Sequence, residues 1–220
     1  MKQKEIEKFV DILGSSVPME RIAFQCKRCG ECCKYRGDIF LTPLDVYYIC
    51  NYLKISLETF LNSYVTLTDI KLYIKTKGDT EKTCIFYTDN GCLIHDVKPH
   101  ACYVFPFIEF EDSYLVNLVP CSIASLLFPS SEPRPIKAIL RSNSFRYEIE
   151  KDILTRYLHI VVGVSDALEK YHNNHKVSSE LTEFFFKTLF SDIKLEMEKD
   201  EFFKWFEEQI GKVEDALIFI

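Results

Sequence analysis

The sequence predicts an α+β protein: a cysteine-rich loop and short β-hairpins form a metal-binding region packed with helices, and a helical C-terminal part follows. Three observations lead to this class. All nine cysteines fall between residues 26 and 121. Short apolar runs separated by turn residues follow one another between residues 65 and 119, which is typical of strands. From residue 136 onward, apolar residues recur at helical spacing instead.

The chain has 220 residues, 47% of them hydrophobic, and can bury a core of its own. We divide it into an N-terminal helix and linker (1–23), a cysteine-cluster metal-binding domain (24–125) and a helical region (126–220) packed on that domain. An amphipathic pattern over residues 4–13 predicts the first helix. The charged start does not look like a secretory signal, and no apolar stretch approaches the roughly 18 residues of a membrane span. We therefore expect a soluble, cytoplasmic protein without a membrane partner.

A helix is predicted after Thr42, whose hydroxyl suits the N-cap position, with Pro43 in the first turn. Its apolar stripe is spaced i, i+3, i+4, i+7 and includes Cys50. Because free cysteine packs as a small hydrophobe, we interpret this ninth cysteine as a core residue. A shorter helix is predicted from a Ser56 cap through Tyr64.

Strands are predicted for the region that follows. Apolar and polar side chains alternate over residues 65–75, which favours one strand. The turn signal Asp89-Asn90-Gly91 folds two short strands back on each other and is expected to bring Cys84 near Cys92. Residues 103–111 and 114–119 predict another pair of strands.

The C-terminal part shows helical patterns over residues 136–172, 178–197 and 199–217, whose aromatic side chains are most simply core residues. The formal net charge is −6, and residues 180–220 carry the whole excess with 11 acidic and 5 basic residues. The sequence contains no continuous basic stripe, which argues against a nucleic-acid partner. The identity of a protein partner or substrate and the oligomeric state stay open.

Cysteine is the residue type that carries chemistry in this chain. In a reducing compartment, cysteines this dense indicate metal binding rather than disulfides. Gly30 suits a backbone that curls tightly around a metal with positive φ. The predicted metal ligands are Cys26, Cys29, Cys32, Cys33, Cys84, Cys92, Cys102 and Cys121.

The spacing does not fix the metal. Cys26-x-x-Cys29-x-x-Cys32 reproduces the first three positions of the run found in bacterial-type ferredoxins, but zinc sites also use Cys-x-x-Cys pairs. Eight thiolates fill two zinc sites, two 4Fe–4S clusters, or one of each. We favour an iron–sulfur cluster of the 4Fe–4S type as the cofactor, with zinc as the alternative. Five aromatic residues near the ligands would shield a cluster from water: Phe24, Phe40, Phe86, Phe105 and Phe107.

Two details bear on how the ligands are shared. Neighbouring side chains tend to diverge, so Cys32 and Cys33 are expected to serve two adjacent sites. His95 and His100 lie close to cysteines in the sequence. Since eight thiolates already saturate two sites, we interpret both histidines as non-ligands.

A set of motifs resembles a known family: Phe24-x-Cys26-x-x-Cys29-Gly30-x-Cys32-Cys33, Leu41-Thr42-Pro43-x-Asp45, Cys84, Cys92-x-Ile94, Pro99-x-x-Cys102-x-x-Phe105-Pro106-Phe107 and Cys121. Their order and spacing resemble the YkgJ-type cysteine-cluster family, described as chelating zinc or iron, over about residues 24–121. The resemblance implies metal binding; members are often labelled iron–sulfur oxidoreductases, and a related cluster occurs in flagellin lysine N-methylases. The family commonly carries Arg-Pro before the third downstream cysteine and Arg after it, where this chain has Lys98-Pro99 and Tyr103. A role for those arginines is therefore not carried over.

Three functions are open on the sequence. The first is an iron–sulfur protein acting in redox chemistry or in modification of a protein or small molecule, as an oxidoreductase or a methylase-like enzyme. The second is a non-catalytic zinc module with a structural or protein-interaction role. The third, thiol–disulfide exchange by Cys26 and Cys29, is the weakest because the pair does not follow a strand in a βαβ pattern. Catalytic residues are not identified.

Overall fold

The structure, a computed structural model, describes residues 16–28, 30–34, 36–68, 70–78, 82–110, 113–144 and 146–219. The helices are α1 (Glu31–Lys34), α2 (Pro43–Leu53), α3 (Leu57–Ser63), α4 (His100–Tyr103), α5 (Pro120–Leu127), α6 (Ile136–Asn143), α7 (Arg146–Lys170), α8 (His175–Phe186) and α9 (Lys199–Ile218). The strands are β1 (Ser16–Pro18), β2 (Arg21–Ile22), β3 (Phe40–Leu41), β4 (Val65–Thr68), β5 (Lys71–Ile74), β6 (Thr76–Lys77), β7 (Thr83–Cys84), β8 (Tyr87–Thr88), β9 (Gly91–Cys92), β10 (Phe107–Phe110), β11 (Ser113–Asn117) and β12 (Arg134–Pro135). The predicted α+β class with a helical C-terminal part is confirmed. The predicted helix over residues 4–13 lies outside the described residues.

The chain forms two compact units that alternate along the sequence. The first unit comprises residues up to 29 and residues 101–149, and the second comprises residues 30–100 and 150–220. Within the described part of the chain, no helix combines the length and the apolar character that a membrane crossing requires.

The first unit is built on an antiparallel sheet with strand order β1-β11-β10, as predicted for the β10–β11 pair. β12 pairs with β2 beside it. The rings of Phe24 and Phe107 meet edge to face with centroids 5.3 Å apart, an arrangement that aromatic pairs prefer. The core of this unit consists of Ile22, Phe24, Tyr103, Phe107, Val116, Ile136, Ile139, Leu140 and Tyr147.

In the second unit, the helix predicted after Thr42 is confirmed as α2. The Thr42 side chain accepts a hydrogen bond from the Asp45 N–H, and the Asp45 carboxylate accepts one from the Thr42 N–H, which together form a capping box. Cys50 is fully buried, as the apolar stripe predicted, and burial raises its pKa to about 12. Ser56 caps α3, also as predicted.

The prediction of one strand over residues 65–75 is wrong, because two strands form there. β4 and β5 pair in antiparallel register from Val65 opposite Ile74 to Thr68 opposite Lys71, and β3 pairs on the other side of β5. The alternation was nevertheless informative, since Leu72 and Ile74 are both 4% exposed. The apolar residues change phase within this stretch, from Val65 and Leu67 to Ile70, Leu72 and Ile74, and this change accompanies the turn between β4 and β5.

The C-terminal helices differ from the sequence pattern mainly at their ends. The predicted helix over 136–172 is divided into α6 and α7, because Ser144 is extended and its hydroxyl accepts a hydrogen bond from the Arg146 N–H at 3.1 Å. α8 begins earlier than predicted, behind an Asn174 cap, and a π turn follows it at Lys187–Ser191. α9 matches the prediction. Phe202 of α9 stacks on Tyr47 of α2 with centroids 4.0 Å apart.

Candidate metal centre

Four of the predicted ligands lie in the second unit. Cys32 and Cys33 are on α1, Cys84 is on β7 and Cys92 is on β9. The sequence predicted a loop at Cys32 and Cys33, but both residues lie on one helical turn. Cys84 is buried at 4% exposure, and the other three are half-buried.

Gly30 starts the turn that carries Cys32 and Cys33. Its φ is +76°, as predicted, and its carbonyl accepts a hydrogen bond from the Cys33 N–H at 2.8 Å. The ring of Tyr87 lies directly against Gly30 Cα, so a side chain at this position would overlap the ring. The Thr83 hydroxyl donates to the Lys34 carbonyl at 3.4 Å, which ties α1 to β7. Close packing on Tyr87 and β7 therefore holds the two cysteines of α1 in place.

The hairpin β8–β9 places Cys92. The predicted turn is present: Gly91 has a φ of +102°, Thr88 Oγ1 donates to the Gly91 carbonyl at 2.9 Å, and Tyr87 pairs with Cys92. Cys84 does not belong to this hairpin, because β7 pairs with β6, with Cys84 opposite Thr76.

The segment between Cys84 and the hairpin is anchored by Phe86. This residue is 1% exposed and stacks on Tyr64 with centroids 5.1 Å apart. Its carbonyl accepts a hydrogen bond from the Leu93 N–H at 3.0 Å. The same residue therefore fixes the chain on both sides, after Cys84 and after Cys92.

The Cys33 thiol is in hydrogen-bonding contact with the thiols of both Cys32 and Cys92. These bonds lower the pKa of Cys32 to about 6 and that of Cys92 to about 7, because each bond stabilises the thiolate. The same bonds raise the pKa of Cys33, which keeps its proton between two sulfurs. Neighbouring side chains were expected to diverge, but on α1 the two adjacent thiols meet.

Cys84 differs from the other three thiols. Burial raises its pKa to about 11, and the neighbouring Cys92 adds to the effect, so the two are close enough to interact electrostatically. Three cationic side chains lie close enough to act on these thiols. Arg36 and Lys98 lower the pKa of Cys32, and Lys77 lowers that of Cys84. These cations favour the thiolate, the form that binds metal, and at Cys84 they offset part of the effect of burial.

The first unit holds three further described ligands of the predicted set. Cys26 is exposed, while Cys102 on α4 and Cys121 on α5 are half-buried. Cys121 packs against the core of that unit. Cys29 lies outside the described residues.

Cys121 is placed by hydroxyl groups on the inner side of α5. Ser122 Oγ donates to the carbonyls of Asn117 and Val119 at 2.6 and 3.0 Å and accepts from the Val119 N–H at 3.0 Å. Ser125 Oγ donates to the Cys121 carbonyl at 2.8 Å. The predicted aromatic cover is buried at Phe24, Phe86 and Phe107, and half-buried at Phe40 and Phe105.

These residues suit a metal because of the chemistry of their donor atoms, not because a coordination geometry is already formed. Among the described residues, no three Cys, His, Asp or Glu side chains already converge on one point that could hold an ion. Thiols in contact are soft donors suited to zinc or iron. His95 lies half-buried on a 3₁₀ turn with Nδ1 3.6 Å from Asp96 Oδ1, and His100 opens α4. Their assignment as non-ligands stays a prediction.

One feature of this region was missed from the sequence. Asp45 Oδ1 accepts a hydrogen bond from the His100 N–H at 3.0 Å, which joins the start of α2 to the chain just before Cys102. The sequence signal was the spacing Thr42-x-x-Asp45, which predicts a helix cap. That signal carries no information about a partner far along the chain.

Comparison with known proteins agrees with the cysteine pattern. No solved structure matches the chain. Residues 25–122 match the family model CxxCxxCC, described as "Putative zinc- or iron-chelating domain". The match spans all eight predicted ligands and agrees with the cysteine-cluster resemblance. Residues 25–122 are therefore similar to the CxxCxxCC family, whose description supports metal binding by this protein.

Proposed function

We propose that the protein is a metal-binding module in which the second unit holds one zinc ion through Cys32, Cys33, Cys84 and Cys92. The observation that carries this proposal is the contact of the Cys33 thiol with both Cys32 and Cys92. The three cysteines come from α1 and β9, which are far apart in the sequence. Tyr87 joins these elements, because it pairs with Cys92 and its ring packs on Gly30, just before α1.

The contact suits a single ion better than a cluster. Four sulfurs at about 2.3 Å from one tetrahedral ion are roughly 3.8 Å apart, so a single ion needs thiols that are close neighbours. Sulfurs that bind different irons of a cubane are further apart, because the cluster lies between them. Binding would replace the proton of Cys33 by the ion and draw in Cys84, and Arg36, Lys77 and Lys98 would offset the net negative charge of a tetrathiolate site.

A second site is proposed for the remaining cysteines, Cys26, Cys29, Cys102 and Cys121. Of these, Cys26, Cys102 and Cys121 lie in the first unit, so each unit has its own thiols. Metal binding at closed four-thiolate sites would stabilise each unit, since the binding energy of a structural zinc site is folding energy.

An iron–sulfur protein with a redox or modifying role is the second candidate. The buried rings of Phe24, Phe86 and Phe107 favour it, because an apolar shell limits water access and helps to set a reduction potential. This candidate requires iron with matching sulfide, which a zinc module lacks.

The metal content of protein purified without oxygen distinguishes the two candidates. Zinc, iron and acid-labile sulfide are measured per chain, and the visible spectrum is recorded before and after dithionite. Colourless protein with stoichiometric zinc supports the module, whereas iron, sulfide and a band that bleaches support the cluster. Cys33→Ser should lose one equivalent of metal, while the control Cys50→Ala should keep the full content because Cys50 is a core residue. Full metal content in Cys33→Ser would contradict the proposed ligand set.

A further inference from the structure

Asp45 is a buried carboxylate on the helix that follows the cysteine loop. Its exposed fraction is 0%, and that of Thr42 is 1%. Asp45 Oδ2 accepts hydrogen bonds from Thr42 N and Thr42 Oγ1, both at 2.9 Å, and the Asp45 N–H donates to Thr42 Oγ1 at 3.1 Å. These bonds close the start of α2, and a capping pair needs no more than this.

The second oxygen of the carboxylate has a different task. Asp45 Oδ1 accepts from the His100 N–H at 3.0 Å. Hydrogen bonds to an ionised acceptor are about twice as strong as those between neutral groups, and a buried position protects them from competing water. The bond is therefore a firm link between α2 and a segment far along the chain.

His100 ends the segment that starts at Cys92. The start of this segment is fixed by the pairing of Cys92 with Tyr87. Its middle is a 3₁₀ turn in which the Val97 N–H donates to the Ile94 carbonyl at 3.1 Å, and Ile94 is 1% exposed. Cys102 follows His100 by two residues in the sequence. The backbone between two predicted ligands is thus held at Cys92 by the hairpin and at His100 by Asp45.

We infer that Asp45 is a positioning residue for the metal-binding thiols: by holding the His100 N–H, it fixes the chain between Cys92 and Cys102. This inference rests on the proposed role of these cysteines as ligands. It assigns Asp45 a task beyond its helix cap, and the two tasks use different oxygens. Variants can therefore remove one task and leave the other.

The first test compares Asp45→Asn with Thr42→Val in the full-length chain loaded with zinc. Thr42→Val removes the capping hydroxyl but leaves Asp45 Oδ1 able to accept from His100. Asp45→Asn keeps one carbonyl oxygen, which is best placed against the two donors of Thr42, so its NH2 group opposes the His100 N–H. The rate of zinc release to an excess of a coloured chelator is measured. Asp45→Asn should release zinc at least about tenfold faster than the wild type, as is typical when groups that orient metal ligands are lost. Thr42→Val should release it at the wild-type rate.

A second pair of variants tests the donor and does not depend on how well Asp45→Asn folds. His100 is the first residue of α4, where proline is tolerated because its missing N–H is not needed by the helix. His100→Pro and His100→Ala both lose the imidazole, but only the proline loses the N–H. Faster zinc release from His100→Pro than from His100→Ala supports the inference. Equal rates within both pairs would overturn it.

A measurement without metal separates this inference from the proposed function. Alkylation of Cys92 by iodoacetamide is followed by mass spectrometry in metal-free protein. The reaction should be several-fold faster in Asp45→Asn and His100→Pro than in Thr42→Val and His100→Ala, because the freed segment exposes the thiol more often. If the wild-type chain takes up no zinc, the zinc-module proposal fails, and the alkylation rates still decide the positioning role of Asp45. Equal alkylation rates in all four variants refute that role.

Discussion

Gly30→Ala tests whether the packing at the start of α1 holds the thiols together. Gly30 and Gly78 have nearly the same positive backbone φ, +76° and +74°. A Cβ at Gly30 would overlap the ring of Tyr87, whereas a Cβ at Gly78 would meet nothing within 4 Å. Gly78→Ala is therefore a control that introduces the same backbone strain without the overlap.

The magnitude follows from these two contributions. A left-handed conformation costs an alanine about 1–2 kcal/mol relative to glycine, and this cost applies to both variants. Displacing a packed ring adds about 1–3 kcal/mol, and this cost applies to Gly30→Ala alone. The entropy that alanine removes from the unfolded chain is the same in both and cancels. We expect the free energy of unfolding to fall by about 2–5 kcal/mol in Gly30→Ala and by about 1–2 kcal/mol in Gly78→Ala.

Urea unfolding of the metal-free variants measures both values. In a Tyr87→Ala background the additional cost at Gly30 should disappear, which makes a double-mutant cycle. Zinc affinity should fall in Gly30→Ala, because α1 carries Cys32 and Cys33 while Tyr87 pairs with Cys92. Equal losses of stability in Gly30→Ala and Gly78→Ala, or a Gly30→Ala variant with unchanged zinc affinity, would refute the reasoning.

Three further predictions concern the same thiols and their supports. Ser122→Ala should lower the free energy of unfolding by about 1–3 kcal/mol, since the buried Ser122 hydroxyl makes three hydrogen bonds to the backbone of Asn117 and Val119. Ser125→Ala should cost less than about 0.5 kcal/mol, and equal losses on urea unfolding would contradict this. In metal-free protein, alkylation of Cys32 should slow as the pH falls from 7 to 5, because its pKa of about 6 leaves it ionised at pH 7. Cys84, with a pKa of about 11, should react quickly only in strong alkali. If the alkylation rates of both cysteines rose with the same pH midpoint, this would argue against the hydrogen bonds described. Chelation of zinc should lower the midpoint of urea unfolding of the loaded protein, and an unchanged midpoint would mean that the metal does not stabilise the fold.

Local signals in the sequence predicted local structure well. The cap at Thr42 defined the start of α2, and Asp89-Asn90-Gly91 defined the turn of the β8–β9 hairpin. Cys50 was identified as a core residue because helical periodicity reports burial directly. In each case the residues that determine the conformation lie within a few positions of one another.

Features that depend on distant contacts could not be predicted in the same way. The helical turn at Cys32 and Cys33 is stabilised by packing of Tyr87 on Gly30, and neither residue identifies the other in the sequence. Cys84 was assigned to the hairpin of Cys92, but β7 pairs with β6 instead. The second bond of Asp45 is likewise set by the position of His100 in the fold.

The grouping of the cysteines in the fold differs from their grouping along the sequence. The triplet Cys26-x-x-Cys29-x-x-Cys32 looks like one ferredoxin-type run, yet Cys26 belongs to the first unit and Cys32 to the second. Cys33 and Cys92 are far apart in the sequence, yet their thiols are in contact. A metal binds donors that are close in space, so the thiols of one unit are a better guide to a ligand set than a run along the chain. Sequence spacing alone therefore does not group the cysteines into ligand sets, and the proposed zinc site rests on the contact at Cys33.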